Sequence, residues 1–328
     1  MIITKTPFRI SFLGGGSDLK EYYGRSPGAV LSITINKHMY ISSHRFFEEN
    51  QTRVKYSQTE TVGSIDDIKH PIVRTVLKRF GFQGGLEISS IADVPSGTGL
   101  GSSSAFTVGF LHNYYARSGK FVTCEQLARE ACEIEIDMLK EPIGRQDQYA
   151  AAFGGLNVIH FHTDGQVSVD RLHLGGGIIE KLQQNLLMFY TGKSRATSSV
   201  LLEQKENIAG TAGKFEAMRS IVDLVEQGRE VLYSGELNDF GRLLDKGWII
   251  KRELASKVTD PEIDAIYEHA LRSGALGGKL LGAGGGGFLL FYCEKHKQDA
   301  LRSALSKLKE LPFQFELEGS KVIYVGSE

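Results

Sequence analysis

Residues Asp93–Ala105 read DVPSGTGLGSSSA, a segment in which three glycines alternate with other residues before a run of serines. Gly97, Gly99 and Gly101 carry no Cβ atom, so backbone N–H groups there can approach an anion closely. The serines lie at the predicted start of a helix over about 105–117, where free N–H groups suit phosphate. The segment therefore predicts a phosphate-binding loop, with a flexible turn that merely caps the helix as the alternative.

The charges of the chain nearly cancel, with 38 Lys and Arg against 39 Asp and Glu in 328 residues. Without a basic surplus, nucleic acid is not an expected partner. The three cysteines form no CxxC pair, and no apolar run approaches the roughly 18 residues of a membrane span. The first residues also lack the features of a secretory signal. We therefore expect a cytoplasmic protein of about two domains without a membrane partner. We also expect it to be a monomer or homodimer.

Strand-like and helical segments alternate along the chain. Leu156–Phe161 and Val167–Leu172 predict a hairpin, because a turn sequence separates two short alternating segments. Leu186–Tyr190 predicts a further buried strand, which a helix-rich region follows. We place the junction between two domains at residue 184, which divides the chain into residues 1–184 and 185–328.

A second helix is predicted from Thr123 to about Leu139. On a helical wheel its apolar residues share one arc, and Glu130 falls on the opposite, polar side. Glu135 instead lies near the middle of the apolar arc. A carboxylate directed at the core needs a metal, a cation or hydrogen-bond donors, so Glu135 is a candidate functional residue. A structural salt bridge to a buried arginine is the alternative.

Asp147 lies twelve residues further on, between a Pro–Gly turn and the short helical run Gln148–Phe153. An aspartate in this position can simply cap the helix. It can also act as a catalytic base or stabilise a transition state. The residues around Asp147 leave both interpretations open.

A third glycine-rich segment, Gly282–Gly287, stands between apolar strands in KLLGAGGGGFLLFY. Its apolar flanks argue against a solvated linker. It predicts either a tight bend between packed elements or a second close approach of the backbone to phosphate.

Three segments of the chain, taken in sequence order, resemble the motifs of the GHMP kinase superfamily. This superfamily includes galactokinase, homoserine kinase, mevalonate kinase and phosphomevalonate kinase. The three segments are Pro7–Asp18 (PFRISFLGGGSD), Pro95–Ala105 (PSGTGLGSSSA) and Lys279–Phe288 (KLLGAGGGGF). The resemblance implies a two-domain α/β (α+β) fold. Residues 1–184 would resemble the second domain of ribosomal protein S5, and residues 185–328 a ferredoxin-like sandwich, with ATP bound between them.

The resemblance also implies roles for individual residues. Asp147 matches the catalytic aspartate of the family, Arg9 the arginine that galactokinases place beside it, and Asp18 a ligand of a sugar hydroxyl. Ser103 and Glu135 match the ligands of Mg²⁺, which would accompany ATP. Contacts with ATP are implied for the loop residues Pro95, Gly97, Gly99, Leu100, Gly101, Ser102, Ser103 and Ser104. Such a set supplies the positioning and charge neutralisation on which phosphoryl transfer depends.

The chain differs from the galactokinases at the positions that indicate which sugar accepts the phosphate. Galactokinases carry Glu-His where this chain has Gly15 and Gly16. The form Gly-Gly-Gly-Ser-Asp, like the segment Glu133–Gly155, resembles the bacterial D-glycero-D-manno-heptose 7-phosphate kinases. Those enzymes phosphorylate the anomeric C1 hydroxyl and give the 1,7-bisphosphate, on the way to nucleotide-activated heptose for surface polysaccharide. Gly284 of the third motif is also expected beside the substrate.

An acceptor that already carries phosphate requires an anion site. Lys193 and Arg195 follow a predicted buried strand and are candidates, as is Arg145, with ordinary solvated basic residues as the alternative. Two other functions stay open. One is a different sugar 1-kinase, acting on fucose, arabinose or galactose, and the other is a non-catalytic sensor of sugar and ATP. The presence of Asp147 and Arg9 argues against the sensor.

Overall fold

The computed structural model of the chain describes residues 1–193 and 197–326. In chain order its strands are β1 (Ile2–Leu13), β2 (Gly28–Arg45), β3 (Thr52–Lys55), β4 (Thr59–Val62), β5 (Leu86–Ala92), β6 (Leu156–Phe161), β7 (Val167–Arg171), β8 (Leu186–Tyr190), β9 (Ala275–Leu280), β10 (Phe288–Cys293), β11 (Lys309–Glu310), β12 (Phe315–Glu316) and β13 (Lys321–Val325). Its α-helices are α1 (Lys20–Tyr23), α2 (Pro71–Arg79), α3 (Ser102–Arg117), α4 (Cys124–Cys132), α5 (Gln146–Phe153), α6 (Ile178–Gln184), α7 (Thr197–Gly210), α8 (Ala212–Ser234), α9 (Leu237–Arg252), α10 (Pro261–Arg272) and α11 (Gln298–Ala304). None of the described helices combines the length and apolar character that crossing a membrane requires.

The first sheet is built around β1 and β2, which pair antiparallel over most of their length. Among the described residues it runs in the order β13–β1–β2–β5–β3–β4, while β6 and β12 also pair with β2, and β7 pairs with β6. The predicted hairpin is therefore present as β6 and β7. Because β1 lies inside this sheet, Arg9 is fixed opposite Thr34 of β2.

The second sheet has the order β11–β8–β10–β9 in the described part of the chain, and its neighbouring strands are antiparallel. α9 and α10 pack on β9. Trp248 of α9, Tyr267 of α10 and Phe291 of β10 are buried between these elements. Two sheets covered by helices confirm the predicted mixed α/β architecture.

The glycine-rich loop is held against the centre of the first sheet. α3 begins at Ser102, three residues before the predicted start, because Gly101 adopts the left-handed conformation (φ 76°) and forms the N-cap. α3 then packs across β1 and β2. This packing fixes the end of the loop relative to Arg9.

The helix predicted over 123–139 is present, but it changes form midway. Thr123 caps it as predicted, with its hydroxyl oxygen accepting the Gln126 N–H at 3.1 Å. α4 ends at Cys132, and Glu133–Met138 continues as a π-helix. Such π-helical turns are often found at functional sites. Glu135 lies in this turn and is fully buried, as its place on the apolar arc predicted.

The predicted position of Glu130 on the polar side is wrong. Its side chain is buried, and the Tyr115 hydroxyl group donates to its carboxylate, lying 2.9 Å from both oxygens. Gln126 donates to the same carboxylate at 2.9 Å. Tyr115 belongs to α3, so a helical wheel drawn for one helix could not include this partner.

The division of the chain at residue 184 stays a prediction. β8, with which the second sheet begins, starts at Leu186. The last strands, however, return to the first sheet, where Phe315 of β12 pairs with Ile35 and β13 lies beside β1. The two sheets therefore do not correspond to a single cut in the chain.

Candidate active site

The loop 95–101 has a backbone geometry suited to an anion. Gly97, Gly99 and Gly101 all have left-handed φ angles, of 73°, 85° and 76°. Alternating left-handed residues direct successive N–H groups into one concavity. No side chain caps the start of α3, so its first N–H groups remain available beside this concavity. Pro95, Leu100 and Ser102–Ser104 belong to the same loop and helix start.

The third glycine motif forms the support of this loop. A Cβ atom on Gly99 would lie 2.4 Å from the Leu281 carbonyl oxygen, and one on Gly282 would lie 2.6 Å from Gly99 Cα. The motif is therefore a tight bend packed against the loop, one of its two predicted interpretations. Gly284 lies instead against Val258, where a Cβ would be 2.7 Å from Val258 Cα. Among the described residues, the closest approach to Gly284 is therefore made by Val258 and not by another predicted substrate residue.

Arg9 and Asp147 form a bidentate ion pair beside the loop. Arg9 Nε donates to Asp147 Oδ1 at 2.7 Å, and Arg9 Nη2 donates to Oδ2 at 2.8 Å. The third guanidinium nitrogen, Nη1, donates to the Gly99 carbonyl oxygen at 2.6 Å. This fork fixes both the position and the orientation of the carboxylate.

Asp147 is not a helix cap. The N-cap of α5 is Arg145, and Asp147 lies within the first turn of the helix. The Asp147 side chain keeps 24% of its surface exposed, whereas Arg9 keeps 6%. A Cβ atom on Gly101 would lie 3.2 Å from Asp147 Oδ2, so the carboxylate is adjacent to the loop. Helix capping therefore does not explain this residue, and a reactive hydroxyl could reach it.

Glu135 is held by neutral partners and not by an arginine. Its two carboxylate oxygens accept from Ser103 Oγ and from Gln148 Nε2, each at 2.8 Å. Burial raises the pKa of Glu135 to about 7. The two hydrogen bonds lower this pKa, and the nearby charge of Asp147 raises it further. The π-helical turn and the start of α3 thus bring the two predicted metal ligands into contact.

The donor set fits a magnesium ion. Ser103 and Glu135 offer hydroxyl and carboxylate oxygens, the ligands that Mg²⁺ prefers, and Mg²⁺ commonly takes its remaining ligands from water and phosphate. A nearby cation would also favour the ionised form of Glu135, which burial disfavours. The described residues contain no cluster of three or more His, Cys, Asp or Glu that could hold a metal alone.

Asp18 is buried near Asp147. Its Oδ1 accepts from the Gly16 N–H at 2.9 Å and from Gln146 Nε2 at 3.0 Å. Its Oδ2 accepts from the Gln146 N–H at 3.2 Å. Burial, together with the charge of Asp147, raises the pKa of Asp18. Asp18 and Asp147 are thus close enough for their charges to interact, and Gln146 stands between them in the chain.

Polar atoms without partners surround Gly15 and Gly16. Ser11 Oγ, Gln146 Oε1 and Gln204 Nε2 are buried, and no hydrogen-bond partner is found for them in the described residues. A Cβ on Gly15 would lie 3.3 Å from Ser11 Oγ, and one on Gly16 would lie 2.5 Å from Gln204 Nε2. Buried polar atoms are normally paired, so these are available to a ligand with several hydroxyl groups.

The basic residues predicted as an anion site are differently placed. Lys193 Nζ lies 2.8 Å from Asp260 Oδ2 and 2.7 Å from Glu262 Oε2, and these hydrogen bonds raise the pKa of Lys193. The two carboxylates therefore compete with any phosphate for its ammonium group. Arg195 lies outside the described residues. Arg145 donates to the Gly165 carbonyl oxygen at 2.6 Å, which directs it toward the β6–β7 hairpin.

A cleft of about 760 Å³ opens beside the loop, which forms one of its walls. The His70 ring stacks on Phe106 with 4.6 Å between centroids, and Tyr56 meets His70 edge-on at 4.8 Å. Met39 and Ile72 add apolar surface. Sequence reasoning missed this cleft because its lining comes from several separate elements and forms no local motif.

Comparison with known proteins identifies the family of the chain. The family model for the GHMP kinases N terminal domain matches residues 68–155, and that for GHMP kinases C terminal matches residues 229–310. The chain is 30% identical to D-glycero-alpha-D-manno-heptose 7-phosphate kinase of Campylobacter jejuni subsp. jejuni serotype O:2, over 98% of both chains. It is 23% identical to a galactokinase of Pyrococcus furiosus, over 93% of this chain and 92% of that one. The crystal structure of a D-glycero-D-manno-heptose 1-phosphate kinase from Bacteriodes thetaiotaomicron shares the fold, with a TM-score of 0.81, 24% identity and full coverage of both chains.

Proposed function

The chain belongs to the GHMP kinase family, and we propose that this sugar kinase transfers phosphate from ATP to the anomeric C1 hydroxyl of D-glycero-D-manno-heptose 7-phosphate. The product would be the 1,7-bisphosphate. The observation that carries the proposal is the Arg9–Asp147 pair: Arg9 also holds the Gly99 carbonyl group of the glycine-rich loop, and the charge of Asp147 acts on the buried Asp18.

The donor side is formed by the loop and the cleft beside it. The N–H groups of residues 97–101 and of the start of α3 bind the triphosphate. The adenine base enters the cleft of His70 and Phe106, where apolar surface and stacked rings suit an aromatic heterocycle. Ser103 and Glu135 would hold Mg²⁺, which would neutralise charge on the phosphates.

The transfer step is assigned to Asp147. Its carboxylate accepts the proton of the C1 hydroxyl as that oxygen bonds to the terminal phosphorus atom, while the bond from phosphorus to the ADP oxygen breaks. Arg9 keeps the carboxylate oriented through its two hydrogen bonds. Arg9 also ties Asp147 to the loop through Gly99, so that donor and base keep a fixed separation.

The acceptor side is assigned to Asp18 and its neighbours. Asp18, Gln146 and Gln204 provide a carboxylate and two amides for sugar hydroxyl groups, and two of these residues have unpaired polar atoms. Side chains in place of Gly15 and Gly16 would crowd Ser11 and Gln204, which disfavours a galactokinase-like acceptor site. The heptose 7-phosphate kinase relative from Campylobacter jejuni supports the choice of acceptor.

The acceptor assignment is tested by ADP release with a panel of sugars. We expect kcat/KM for D-glycero-D-manno-heptose 7-phosphate to exceed that for free heptose, galactose, fucose or arabinose by at least roughly 100-fold, because a site built for polar groups rejects analogues that lack them. Comparable rates with free sugars would refute the acceptor and leave a different sugar kinase. ADP release that no sugar stimulates would favour the sensor.

The magnesium assignment predicts the behaviour of Glu135→Gln. We expect the magnesium concentration for half-maximal activity to rise at least roughly tenfold, because an amide is a weaker ligand than a carboxylate. The measurement is a magnesium titration at saturating ATP and acceptor. Asp137→Asn is the matched control, since Asp137 lies on the exposed side of the same π-helical turn. An unchanged magnesium dependence for Glu135→Gln would show that Glu135 has a structural role.

A further inference from the structure

Lys251 is a buried cation that belongs to none of the three glycine-rich motifs. It lies in the last turn of α9, and its side chain is almost entirely shielded from solvent. Its Nζ donates to the Gly282 carbonyl oxygen at 2.7 Å. An ammonium group has three donors, and in the described residues only this one acceptor is found for Lys251. A buried charge with unused donors requires an explanation.

The contact with Gly282 places Lys251 beside the glycine-rich loop. Gly282 packs on Gly99, which also accepts the hydrogen bond from Arg9. The charges of Asp18, Arg9 and Asp147 all act on Lys251. Lys251 therefore lies where the proposed triphosphate site meets the proposed acceptor site.

The neighbouring cations are already engaged. Arg9 uses Nε, Nη1 and Nη2 to hold Asp147 and the Gly99 carbonyl group. Lys279 donates to the carbonyl oxygens of Ser11 and Phe12 at 2.7 and 2.8 Å, which ties β9 to the end of β1. In the part of the chain that the structure describes, Lys251 thus keeps two ammonium donors for a ligand, whereas Lys279 keeps one and every guanidinium nitrogen of Arg9 already holds a protein acceptor.

We propose that Lys251 is a catalytic residue whose ammonium group binds the phosphoryl group during its transfer from ATP to the acceptor. The transferred group carries negative charge on three oxygens, which fixed cations stabilise. The inference rests on the proposed phosphoryl transfer, but it does not depend on which sugar is the acceptor. Lys251 could instead bind the phosphate that the acceptor already carries. In that case its loss would weaken binding of the acceptor and not the transfer step.

Nucleotide binding tests this role without any acceptor. We expect Lys251→Met to weaken the magnesium complex of a non-hydrolysable ATP analogue about 10- to 100-fold, because a charged hydrogen bond to the terminal phosphate is lost. ADP affinity should change less than about twofold in the same calorimetric titrations, because ADP lacks that phosphate. Lys246→Met, the same change on the exposed side of α9, is the matched control. Equal losses for both nucleotides, or no loss for either, would overturn the proposal.

Steady-state kinetics with whichever sugar the wild-type protein phosphorylates give the second test. We expect Lys251→Met to lower kcat about 10²- to 10³-fold with little change in acceptor KM, and Lys251→Arg to recover part of the loss. A raised acceptor KM with kcat retained would overturn the proposal in favour of an acceptor-phosphate ligand. Failure of heptose 7-phosphate as a substrate would refute only the acceptor assignment.

The pH dependence distinguishes Lys251→Arg from the wild-type protein even if Lys251→Met does not fold. Burial lowers the pKa of Lys251 to about 8, with Asp18 and Asp147 opposing this decrease and Arg9 adding to it. Lys279 also faces Lys251, and its own charge is disfavoured by burial. The ammonium form is present below pH 8, so kcat/KM should fall as the pH rises through about 8. In Lys251→Arg this decrease should move to higher pH, and an unchanged profile would contradict the proposal.

Discussion

Asp147→Asn is expected to lower kcat about 10²- to 10⁴-fold, the contribution of a positioned general base. Asparagine has nearly the same shape and can still accept one hydrogen bond from Arg9, but it cannot take the proton of the acceptor hydroxyl. The rate is measured as ADP release at saturating ATP and acceptor. Affinity for a non-hydrolysable ATP analogue should stay close to that of the wild-type protein, because asparagine has nearly the same shape beside Gly101 and Arg9 can still donate to the Gly99 carbonyl oxygen.

Asp170→Asn is the matched control for this prediction. Asp170 lies on β7 with its side chain 56% exposed, and it pairs with His160 at 3.2 Å. The same change of carboxylate to amide there should leave kcat unaltered. If Asp147→Asn kept the full rate while remaining folded, the assignment of Asp147 as the base would be wrong.

Arg9→Lys is expected to lower kcat about 10²-fold, although it preserves the positive charge. Lysine cannot reproduce the planar fork that binds both oxygens of Asp147 and reaches the Gly99 carbonyl group. Asp147 would then lose its fixed orientation, and misplacement of a catalytic group by about 1 Å can cost this much rate. The measurement is kcat at saturating substrates, with thermal unfolding as the check on folding.

A double-mutant cycle separates orientation of Asp147 from a direct effect of Arg9. If Arg9 acts through Asp147, Arg9→Lys should lower the rate further by less than about threefold in the Asp147→Asn background. Fully additive losses would mean that Arg9 contributes independently, for example through the loop or the transferred phosphate.

The resemblance of the three motifs to those of the GHMP kinases predicted a single site formed by residues that are far apart in the chain. Arg9, Asp147 and the glycine-rich loop were expected at one site, and the structure joins them through hydrogen bonds of 2.6–2.8 Å. Glu135 could be singled out because a carboxylate on the apolar side of an amphipathic helix departs from a simple periodic pattern. Such departures are visible in a sequence without knowledge of the fold.

The remaining site residues carry no comparable signal. Lys251 has the spacing of an ordinary lysine on an amphipathic helix, and its burial follows from the bend at Gly282 packing beside α9. Gln204 reaches Gly16 only because α7 packs near the start of the chain. The burial of Glu130 likewise depends on Tyr115 from another helix. Each of these contacts joins elements that are distant in sequence, so no local pattern predicts it.

The central claim is that phosphate is transferred to the anomeric hydroxyl of a sugar that already carries phosphate. The most direct measurement is ¹H–³¹P correlation NMR of the product formed from ATP and D-glycero-D-manno-heptose 7-phosphate. We expect two phosphorus signals in the product, one coupled to the protons at C7 and a new one coupled to the anomeric proton H1. A new phosphorus signal coupled to any other ring proton, or release of inorganic phosphate without a new ester, would contradict it.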